Sequence, residues 1–422
     1  MLNAILSHVI AEIVAIGSEL LTPYRQDTNS LYLTEKLNAL GIQVAFKTVV
    51  GDSREHLTAV ARIAMQRADV VIFMGGLGPT EDDLTREAVA DALGIELKRD
   101  PEIVTELYKR FAARRIKMPD NNLQQADVLP GAFVLPNPRG SAPGQWLERS
   151  VEGRNRILLL LPGPPWELKP MFDEQCFERL KANLPPAFLG KRELKIAMMG
   201  ESECDRRASA IYKKYDDVRT TILADVGECQ LHLVCRADAM ETAQARVDEL
   251  AGELEDEFDE FVFATHGETL EQIVGYYLDM RGATIAVAES CTGGMLATRL
   301  TSVSGSSRYF LGGAIVYSND LKKIFADVPP LLIKEKGAVS KEVAIALAEG
   351  IRKKCKATFG VGVTGIAGPG GASESKPVGL VYVALADGSR TDVVERHFPG
   401  DRERIRRWAT QQALDLVRRK LM

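Results

Sequence analysis

Apolar and polar residues alternate along the first part of the chain in a pattern that predicts strands and helices in turn. Short apolar runs such as EIVAIG and DVVIFMGG predict buried strands, and the amphipathic stretches LYLTEKLNAL and LTAVARIAMQRA predict helices between them. Strands that alternate with helices at this spacing are typical of βαβ units with a parallel sheet. The strand RILLLLPGPP, with a helix starting at Trp166, closes this pattern. We therefore predict a three-layer α/β domain over residues 1–182.

Two further segments follow it. Residues 183–265 begin with the Pro-Pro stretch LPPAFL, which predicts a linker, and then contain three strand-like runs and one long amphipathic helix. This segment predicts a small α+β connector domain. Nine acidic residues and one arginine lie between 241 and 260, and we interpret them as a solvated helix face rather than a metal site. Strands and helices alternate again over 266–422, so the fold class is α/β, with two three-layer α/β domains joined by the connector.

Composition narrows the class of protein. The chain has 422 residues, and 53 lysines and arginines against 58 acidic residues give a net charge of -5, which offers no general attraction to nucleic acid. The longest apolar run, LVYVALA, is far shorter than the roughly 20 residues that cross a bilayer. The first residues lack the basic start of a signal peptide and predict a short leader before the first strand. Six cysteines without a CxxC pair favour reduced thiols in the cytoplasm.

The stretch GGLGPTEDDLT lies between a predicted buried strand and a predicted helix. Glycine amides in this position can hold a phosphate without basic side chains. The adjacent carboxylates of Asp82 and Asp83 suggest a divalent cation, most commonly Mg²⁺, between carboxylate and phosphate. The alternative is that both acids complement the positive end of the helix dipole. A simple tight turn would use Gly75 and Gly76 equally well.

The stretch AESCTGG follows another predicted strand and precedes the helix MLATRLTS, which places Ser290 near a helix N-terminus. A serine beside backbone amides can combine a nucleophile with an oxyanion site. A helix N-cap is the common alternative for such a serine. Cys291 is a rival nucleophile, but no histidine lies near it in the sequence, and a small buried apolar residue is the simpler interpretation.

A candidate base for Ser290 lies in IVYSNDLKK, where Tyr317 and Lys322 offer a phenol and an amine. A lysine base is an established alternative to histidine in serine hydrolysis. For Lys322 to act as this base, its pKa must be lower than that of an ordinary lysine. We expect Lys323 and an apolar wall of Ile315 and Val316 to lower it. A pair of solvated lysines at 322 and 323 is the alternative.

Taken together, the motifs resemble the CinA family (competence/damage-inducible protein A). IGSELL, DTNS, VVGD, GGLGPTEDDLT, the pair QA at 125–126, NPRGSAPG and LPGPPWE resemble its molybdopterin-binding-like half. AESCTGG, GSSRYFLGGAIVYSNDLK, GAVS, VGVTGIAGPGG, KPVGLVYVAL and FPGDR resemble its C-terminal domain, a nicotinamide mononucleotide (NMN) deamidase. The resemblance implies hydrolysis of ADP-ribose with a divalent metal (Mg or Co) in the first domain, and deamidation of NMN without a cofactor in the last.

The resemblance also implies roles for individual residues. In the last domain Ser290 is the nucleophile, Lys322 its base and Tyr317 an assistant, and the residues for oxyanion, ribose or phosphate are Thr292, Gly293, Gly337, Ser340, Gly365, Gly368 and Arg402. Arg404, Arg406 and Arg407 compete with Arg402 for the phosphate. In the first domain Gly76, Gly78 and Thr80 face phosphate, Asp83 is catalytic, and the acids available to a metal are Glu19, Asp27, Asp52, Asp82 and Asp83.

Two other functional classes stay open at this point. The first domain could be a molybdopterin-binding or dimerisation module without catalysis, which would bind ADP-ribose without releasing AMP. The chain could also act as a partner in competence or DNA repair, although its acidic pI of about 5.8 argues against direct DNA contact. We expect small nucleotides as ligands, a homodimer as the assembly, and neither nucleic acid nor membrane as a partner.

Overall fold

The computed structural model describes residues 9–184 and 188–422. The chain divides into two compact units, the first ending at Leu189 and also taking in Arg236–Met240, and the second comprising Gly190–Cys235 and Glu241–Met422. The leader predicted before the first strand and the Pro-Pro part of the predicted linker lie outside the described residues.

The first unit contains a six-stranded sheet flanked by helices. Its strands are β1 (Ile10–Ile16), β2 (Gln43–Val50), β3 (Val70–Met74), β4 (Lys98–Arg99), β5 (Asp127–Val128), β6 (Phe133–Leu135), β7 (Gly144–Val151) and β8 (Arg154–Leu161), of which β4 and β5 form a separate pair. Its helices are α1 (Asn29–Ala39), α2 (Arg54–Arg67), α3 (Thr85–Leu93), α4 (Pro101–Ala113), α5 (Pro165–Met171) and α6 (Phe177–Asn183). The strand order in the main sheet is β2-β1-β3-β8-β7-β6.

The sheet is parallel only in part, which corrects the prediction of a parallel sheet. Strands β1, β2, β3 and β8 run parallel, whereas β7 pairs with β8 and β6 with β7 in antiparallel fashion. Only Glu152 and Gly153 separate β7 from β8, and both have positive φ. A two-residue turn of this kind can only join antiparallel neighbours, because a parallel neighbour requires a long crossover.

The centre of this sheet is buried on both faces. Every residue of β3 is buried, and the apolar clusters on its two faces contain Ile72 on one side and Phe73 on the other. Parallel strands covered by helices on both faces are apolar throughout, which explains why VVIFM has no polar alternation. Because β1, β3 and β8 are parallel neighbours, their carboxyl ends meet at one edge of the sheet.

The second unit contains two sheets. A four-stranded sheet in the order β10-β11-β9-β12 consists of β9 (Phe188–Ala197), β10 (Val218–Asp225), β11 (Glu228–Ala237) and β12 (Val262–Ala264), with helices α7 (Glu201–Tyr212) and α8 (Met240–Phe258). A five-stranded sheet in the order β14-β13-β15-β16-β17 consists of β13 (Ile285–Glu289), β14 (Phe310–Ile315), β15 (Phe359–Gly365), β16 (Leu380–Ala386) and β17 (Thr391–His397). Its helices are α9 (Leu270–Met280), α10 (Met295–Thr301), α11 (Asn319–Ala326), α12 (Pro330–Lys336), α13 (Lys341–Cys355) and α14 (Arg402–Leu421).

The five-stranded sheet carries helices on both faces. Ala286 and Ala288 of β13 pack in a cluster with α11, α12 and α13, whereas Ile285 and Val287 pack in the cluster of α9, α10 and α14. Alternate residues of one strand thus fill the two layers, which follows from the period of two in a strand. The predicted α/β fold class is confirmed. The domain limits after 182 and 265 stay a prediction, and both sheets described here belong to one compact unit.

The acidic residues of α8 form ion pairs along its surface. Asp248 and Glu255 lie 3.0 and 2.7 Å from the guanidinium of Arg192, and Glu249 lies 2.6 Å from Arg246. These contacts agree with a surface helix face. Within residues 9–184 and 188–422, no helix combines the length and apolar character needed to cross a membrane.

Candidate functional site

A cavity of about 770 Å³ in the first unit lies where β1, β3 and β8 end. The structure places all of the predicted first-domain site residues in its wall, namely Glu19, Asp27, Asp52, Gly76, Gly78, Thr80, Asp82 and Asp83. Motifs that are far apart in sequence therefore meet at one edge of the sheet, as expected for a ligand site in an open α/β sheet.

The glycine turn after β3 presents free backbone amides to this cavity. Gly75 and Gly76 have φ of 100° and 64°, and a side chain on either would collide with the Ile16 carbonyl or with Thr85. Glycine is therefore required at both positions. The amides of Gly76, Leu77 and Gly78 donate to no acceptor in the described part of the chain. Three successive free amides form a concave site that favours an anion.

Arg86 holds this turn in place, and the sequence analysis missed it. The side chain is fully buried and donates to the carbonyls of Leu77 (2.8 Å) and Gly78 (3.0 Å). Because the guanidinium engages the carbonyls, the amides of the same peptide groups remain available to a ligand. Burial lowers the pKa of Arg86 from its ordinary value. An arginine in the first turn of a helix directly after a glycine turn was the signal that could have identified it.

The predicted metal ligands line the cavity without converging on one point. Asp27 accepts hydrogen bonds from the backbone and hydroxyl of Ser30, and Asp52 accepts one from the Ser18 amide at 2.7 Å. Within the described residues, no group of three or more histidine, cysteine or acidic side chains is arranged to hold a metal ion. A metal held by protein side chains alone does not fit this arrangement.

The two adjacent acids of the glycine motif differ in their contacts. Asp83 accepts hydrogen bonds from the amide and hydroxyl of Thr80, at 2.9 and 2.5 Å, and so closes the turn on itself. Asp82 is exposed, and the neighbouring Thr80 side chain holds the pKa of its carboxyl below the usual range. Asp82 is thus the more accessible carboxylate of the pair.

The second unit brings Ser290 and Lys322 together. Ser290 follows β13 directly, and its amide donates to Val363 of β15 at 3.0 Å. Lys322 lies in α11, and its Nζ is 3.2 Å from Ser290 Oγ, 2.9 Å from the Val316 carbonyl and 3.3 Å from the Tyr317 carbonyl. Both side chains are buried, with 8 % of Ser290 and 2 % of Lys322 exposed.

The surroundings of Lys322 suit a neutral amine. Burial lowers the pKa of its ammonium below the ordinary lysine value, while the nearby Cys291 thiol opposes the shift. A neutral amine has two N–H donors and one lone pair. Two carbonyls can take the donors, and the Ser290 hydroxyl can donate to the lone pair. An ammonium could donate to the same three oxygens, so burial is the feature that favours the base form.

The two causes expected for the lowered pKa of Lys322, the charge of Lys323 and an apolar wall of Ile315 and Val316, need correction. Lys323 lies 2.9 Å from Asp320 in an ion pair on the helix surface and is absent from the groups that shift the pKa of Lys322. Ile315 is 52 % exposed, whereas Val316 is fully buried. Residues of α11 three or four apart share a face, so adjacent lysines point in different directions. Only one of the two is buried against Ser290.

The backbone amides near Ser290 have hydrogen-bond partners that differ from the predicted oxyanion role of Thr292 and Gly293. The amides of Gly294, Leu296 and Ala297 all donate to the carboxylate of Glu289, and the Gly293 amide donates to the Ser290 carbonyl at 3.2 Å. Those of Cys291 and Thr292 donate to no acceptor among the described residues. The oxyanion donors available in this turn are therefore at 291 and 292, and Gly293 instead lines a neighbouring cavity of about 620 Å³.

The structure also joins Tyr317, Arg402 and Gly368. Arg402, the first residue of α14, donates to the Tyr317 hydroxyl at 2.9 Å and to the Gly368 carbonyl at 3.0 Å. Two competing arginines are occupied elsewhere: Arg406 binds the Thr292 carbonyl at 2.7 Å and Arg407 pairs with Asp225 at 2.6 Å. Arg404 is exposed and has no hydrogen bond from its side chain in the described part of the chain. These contacts place Arg402 nearest to Tyr317.

The remaining predicted residues form the loops beside this cluster. Ser340 caps α13 and donates to the Gly337 carbonyl at 3.0 Å, and Thr364 of β15 binds the same loop through the Ala338 carbonyl at 2.8 Å. Gly365 ends β15, where an added Cβ would lie 2.7 Å from Val381, 2.8 Å from the Leu380 carbonyl and 3.1 Å from Cys291 Sγ. Burial raises the pKa of the Cys291 thiol to about 12. A thiol of this kind is not ionised near neutral pH, in keeping with the interpretation of Cys291 as a buried apolar residue.

Comparison with known proteins gives two family matches. Residues 12–182 match the model described as the probable molybdopterin binding domain, and residues 267–421 match the CinA C-terminal domain. The chain is 65 % identical over 414 residues to the CinA-like protein of Koribacter versatilis and 60 % identical over 415 residues to that of Acidobacterium capsulatum. Each alignment covers 98 % of this chain and 100 % of the relative.

Solved structures of other proteins also match part of the chain. The competence/damage inducible protein CihA from Agrobacterium tumefaciens is 36 % identical over 35 % of this chain and 90 % of its own, with a TM-score of 0.34. The two family matches lie in the same order along the chain as the two sites described above. With relatives this similar over nearly their full length, the chain belongs to the CinA family.

Proposed function

We propose that the second unit hydrolyses the carboxamide of NMN to nicotinate mononucleotide and ammonia. The observation that carries this proposal is the 3.2 Å contact between Lys322 Nζ and Ser290 Oγ, in surroundings that suit a neutral amine. A serine with a lysine base supports acyl transfer. The choice of NMN among carboxamides rests on the likeness to the CinA family.

In the first step Lys322 takes the hydroxyl proton as Ser290 Oγ bonds to the carboxamide carbon. The carbonyl oxygen becomes an oxyanion, and the amides of Cys291 and Thr292, which have no acceptor among the described residues, are the proposed donors to it. Lys322 then passes its proton to the nitrogen, the carbon–nitrogen bond breaks, and ammonia leaves. The acyl group, a nicotinoyl group that still carries the ribose phosphate, remains as an ester of Ser290.

The second step repeats the same chemistry with water. Lys322 takes a proton from a water molecule, whose oxygen attacks the ester carbon. The second oxyanion collapses, the bond to Ser290 Oγ breaks, and the proton on Lys322 returns to the serine. Nicotinate mononucleotide is released. Arg402, held by Tyr317 and Gly368, is the candidate for holding the 5′-phosphate, which takes no part in the bond changes.

Incubation of the purified chain with NMN tests this proposal, with ammonia and nicotinate mononucleotide followed by chromatography. We expect both products in equal amounts from the wild-type chain and neither from Ser290→Ala. Absence of both products from a folded wild-type chain would overturn the deamidase proposal.

For the first unit the chemistry we propose is hydrolysis of ADP-ribose to AMP and ribose 5-phosphate. The observation that favours it is the set of free amides at Gly76, Leu77 and Gly78 in the wall of the cavity, which suits a phosphate. A water molecule would attack one phosphorus atom of the diphosphate, and the bridging oxygen would leave with the other phosphate.

The charge of the cavity indicates that a diphosphate would enter with a cation. Among the described residues, the lining contains six carboxylates and one arginine, Arg25. Hard oxygen donors of this kind fit Mg²⁺, which commonly binds one or two carboxylates together with substrate phosphates. Asp82 and Asp83 are the candidates to hold such an ion, which would supply counter-charge to the phosphates when bound.

Incubation with ADP-ribose and Mg²⁺ or Co²⁺, with detection of AMP, tests this second function. Saturable binding of ADP-ribose without release of AMP would instead identify the first unit as a binding module. The homodimer, the location and the exclusion of nucleic acid and membrane as partners stay predictions.

A further inference from the structure

Two side-chain amides in the wall of the first-unit cavity have an oxygen atom that accepts no hydrogen bond. Asn29 donates through Nδ2 to the Gly163 carbonyl at 2.8 Å, which fixes the orientation of its amide, and its Oδ1 is buried without a partner. Gln125 donates through Nε2 to Ser141 at 3.1 Å, and its buried Oε1 is likewise unpaired. Asn29 is 9 % and Gln125 1 % exposed.

Buried acceptors of this kind are unfavourable in the free protein. An unpaired buried acceptor has lost its hydrogen bonds to water, and native structures contain few of them. Asn29 and Gln125 lie on different elements, one in α1 and one before β5, yet both line the cavity that the Gly76 turn also lines. A ligand that brings O–H or N–H donors would satisfy them. Phosphate alone, which offers mostly acceptors, would not.

The same cavity carries two exposed aromatic side chains. Trp166, at the start of α5, is 67 % exposed, and Tyr24 is 92 % exposed. Tryptophan is highly buried in most proteins, so an exposed ring in a cavity wall is informative. A flat heteroaromatic ring can stack on such a side chain whichever base it belongs to, because every base has a π face.

We infer that this cavity recognises a nucleotide by its base and sugar as well as by its phosphate. Trp166 stacks on the base, and the oxygens of Asn29 and Gln125 accept hydrogen bonds from hydroxyl or amino groups of the nucleoside. The inference deepens the function proposed for the first unit and rests on it for the choice of nucleotides. Trp166, Asn29 and Gln125 then determine specificity, while the free amides at 76–78 bind phosphate of any origin.

Intrinsic fluorescence of the full chain, combined with calorimetry, tests the base contact. Of the three tryptophans, Trp146 is 98 % buried and Trp408 belongs to the second unit, so Trp166 is the reporter exposed in the cavity. We expect AMP to quench the fluorescence in a saturable manner and ribose 5-phosphate to leave it unchanged. Trp166→Phe should abolish the quenching, and Trp166→Ala should weaken AMP binding about tenfold.

The matched control is Tyr108→Ala, which removes an aromatic side chain that is 52 % exposed on α4 and lies outside the cavity lining. It should bind AMP as the wild type does. AMP that fails to bind in calorimetry, or that binds Trp166→Ala with wild-type affinity, would overturn the inference. Quenching that persists in Trp166→Phe would overturn it as well.

A second variant tests the acceptors. Gln125→Met removes the unpaired oxygen and keeps the length of the side chain, so AMP affinity should fall about fivefold or more. Binding of inorganic pyrophosphate, measured like that of AMP with Mg²⁺ present, should change less than twofold. A loss of affinity that is equal for AMP and pyrophosphate would show that Gln125 has only a structural role and would contradict its assignment to the nucleoside.

Failure of the proposed hydrolysis and failure of the Trp166 contact give different results. If AMP binds through Trp166 but ADP-ribose is never cleaved, the proposed hydrolysis fails and the nucleotide site remains. If ADP-ribose is cleaved and Trp166→Ala leaves KM unchanged, the hydrolysis remains and the stacking contact fails.

Discussion

The two candidate sites are built on similar sheets but differ in how complete their chemistry is. In the second unit, buried Ser290 and Lys322 already lie within 3.2 Å of each other, and burial lowers the pKa of the amine. In the first unit, the carboxylates lie around a cavity of about 770 Å³, and several are occupied by local hydrogen bonds. The Ser290–Lys322 site is preorganised, whereas the first-unit site depends on the ligand and the cation that enter it.

This difference has a physical cause. Burial removes water from Lys322 and disfavours its charged form, so the fold itself lowers the pKa of the proposed base. Exposed carboxylates such as Asp82 remain charged and repel an anionic ligand until a cation accompanies it. We expect the second site to respond mainly to changes in two side chains, and the first to changes in solution conditions.

The largest effect should come from the buried pair. Ser290→Ala and Lys322→Ala should each lower turnover of NMN about a thousandfold or more, and the double variant should lose little beyond either, because the two act as a unit. Steady-state kinetics of the three variants measures this. Substantial activity in Ser290→Ala would exclude the covalent route and favour a water molecule activated by Lys322.

Chelation should separate the two sites. EDTA should lower release of AMP from ADP-ribose about a hundredfold or more, because the acidic cavity needs a cation to admit a diphosphate, and should leave release of ammonia from NMN unchanged. Added Mg²⁺ or Co²⁺ should restore the first activity. Loss of ammonia release in EDTA, with recovery on addition of Zn²⁺, would contradict the assignment of Lys322 as the base.

A change in pH should affect deamidation strongly on the acid side. Protonation removes the lone pair of Lys322, so kcat/KM should fall about tenfold for each pH unit below the pKa of that amine. Because burial lowers this pKa, the fall should begin below the range of an ordinary lysine. The pH profile of the wild-type chain tests this, and Arg402→Ala should retain the same profile. A profile without an acid limb down to pH 5 would argue against a lysine base.

A moderate effect should follow from loss of Arg402. Arg402→Ala should raise KM for NMN about tenfold and change kcat less than threefold, since the phosphate that it would hold is the same in ground and transition states. Arg404→Ala, which removes an exposed neighbouring charge, is the matched control and should leave KM near the wild-type value. A larger effect at Arg404 would transfer the phosphate role to that residue.

The smallest effect should be at Cys291. The thiol is buried, and its pKa of about 12 keeps it protonated. Cys291→Ala should therefore retain more than half of the deamidase activity and lower the free energy of unfolding by about 1 kcal/mol through the lost packing. Thermal unfolding and NMN kinetics check both parts. Complete loss of activity in a stable Cys291→Ala chain would make the cysteine a rival nucleophile.

Much of the first unit could be predicted from local patterns. The period of the apolar residues predicted β2 over Gln43–Val50 as the structure has it and predicted helices close to α1 and α2. The antiparallel pair β7 and β8 was missed, although the turn at Glu152 and Gly153 carried a hairpin signal. The apolar run of β8 looks the same whether its neighbours are parallel or antiparallel, because burial on both faces removes the alternation.

Among site residues, the sequence identified groups that carry their own chemistry. Ser290, Lys322, Tyr317 and Arg402 stand in motifs, and the structure brings each to the same edge of the five-stranded sheet. Glu289 was not identified from the sequence. Its carboxylate accepts hydrogen bonds from amides five to eight residues later in the chain, and these amides reach it only after α10 has formed. Arg86 was missed for the same reason, since its partners are backbone carbonyls.

The sequence by itself therefore determined the α/β class, the order of the elements and the reactive groups at the ends of strands. These follow from local periodicity and from the residue types that a reaction requires. Only the tertiary structure decided which lysine of the adjacent pair is buried, which amides are already occupied and which carboxylates stay apart. Burial and hydrogen-bond partners depend on elements that are distant in sequence, so the lowered pKa of Lys322 is a property of the fold.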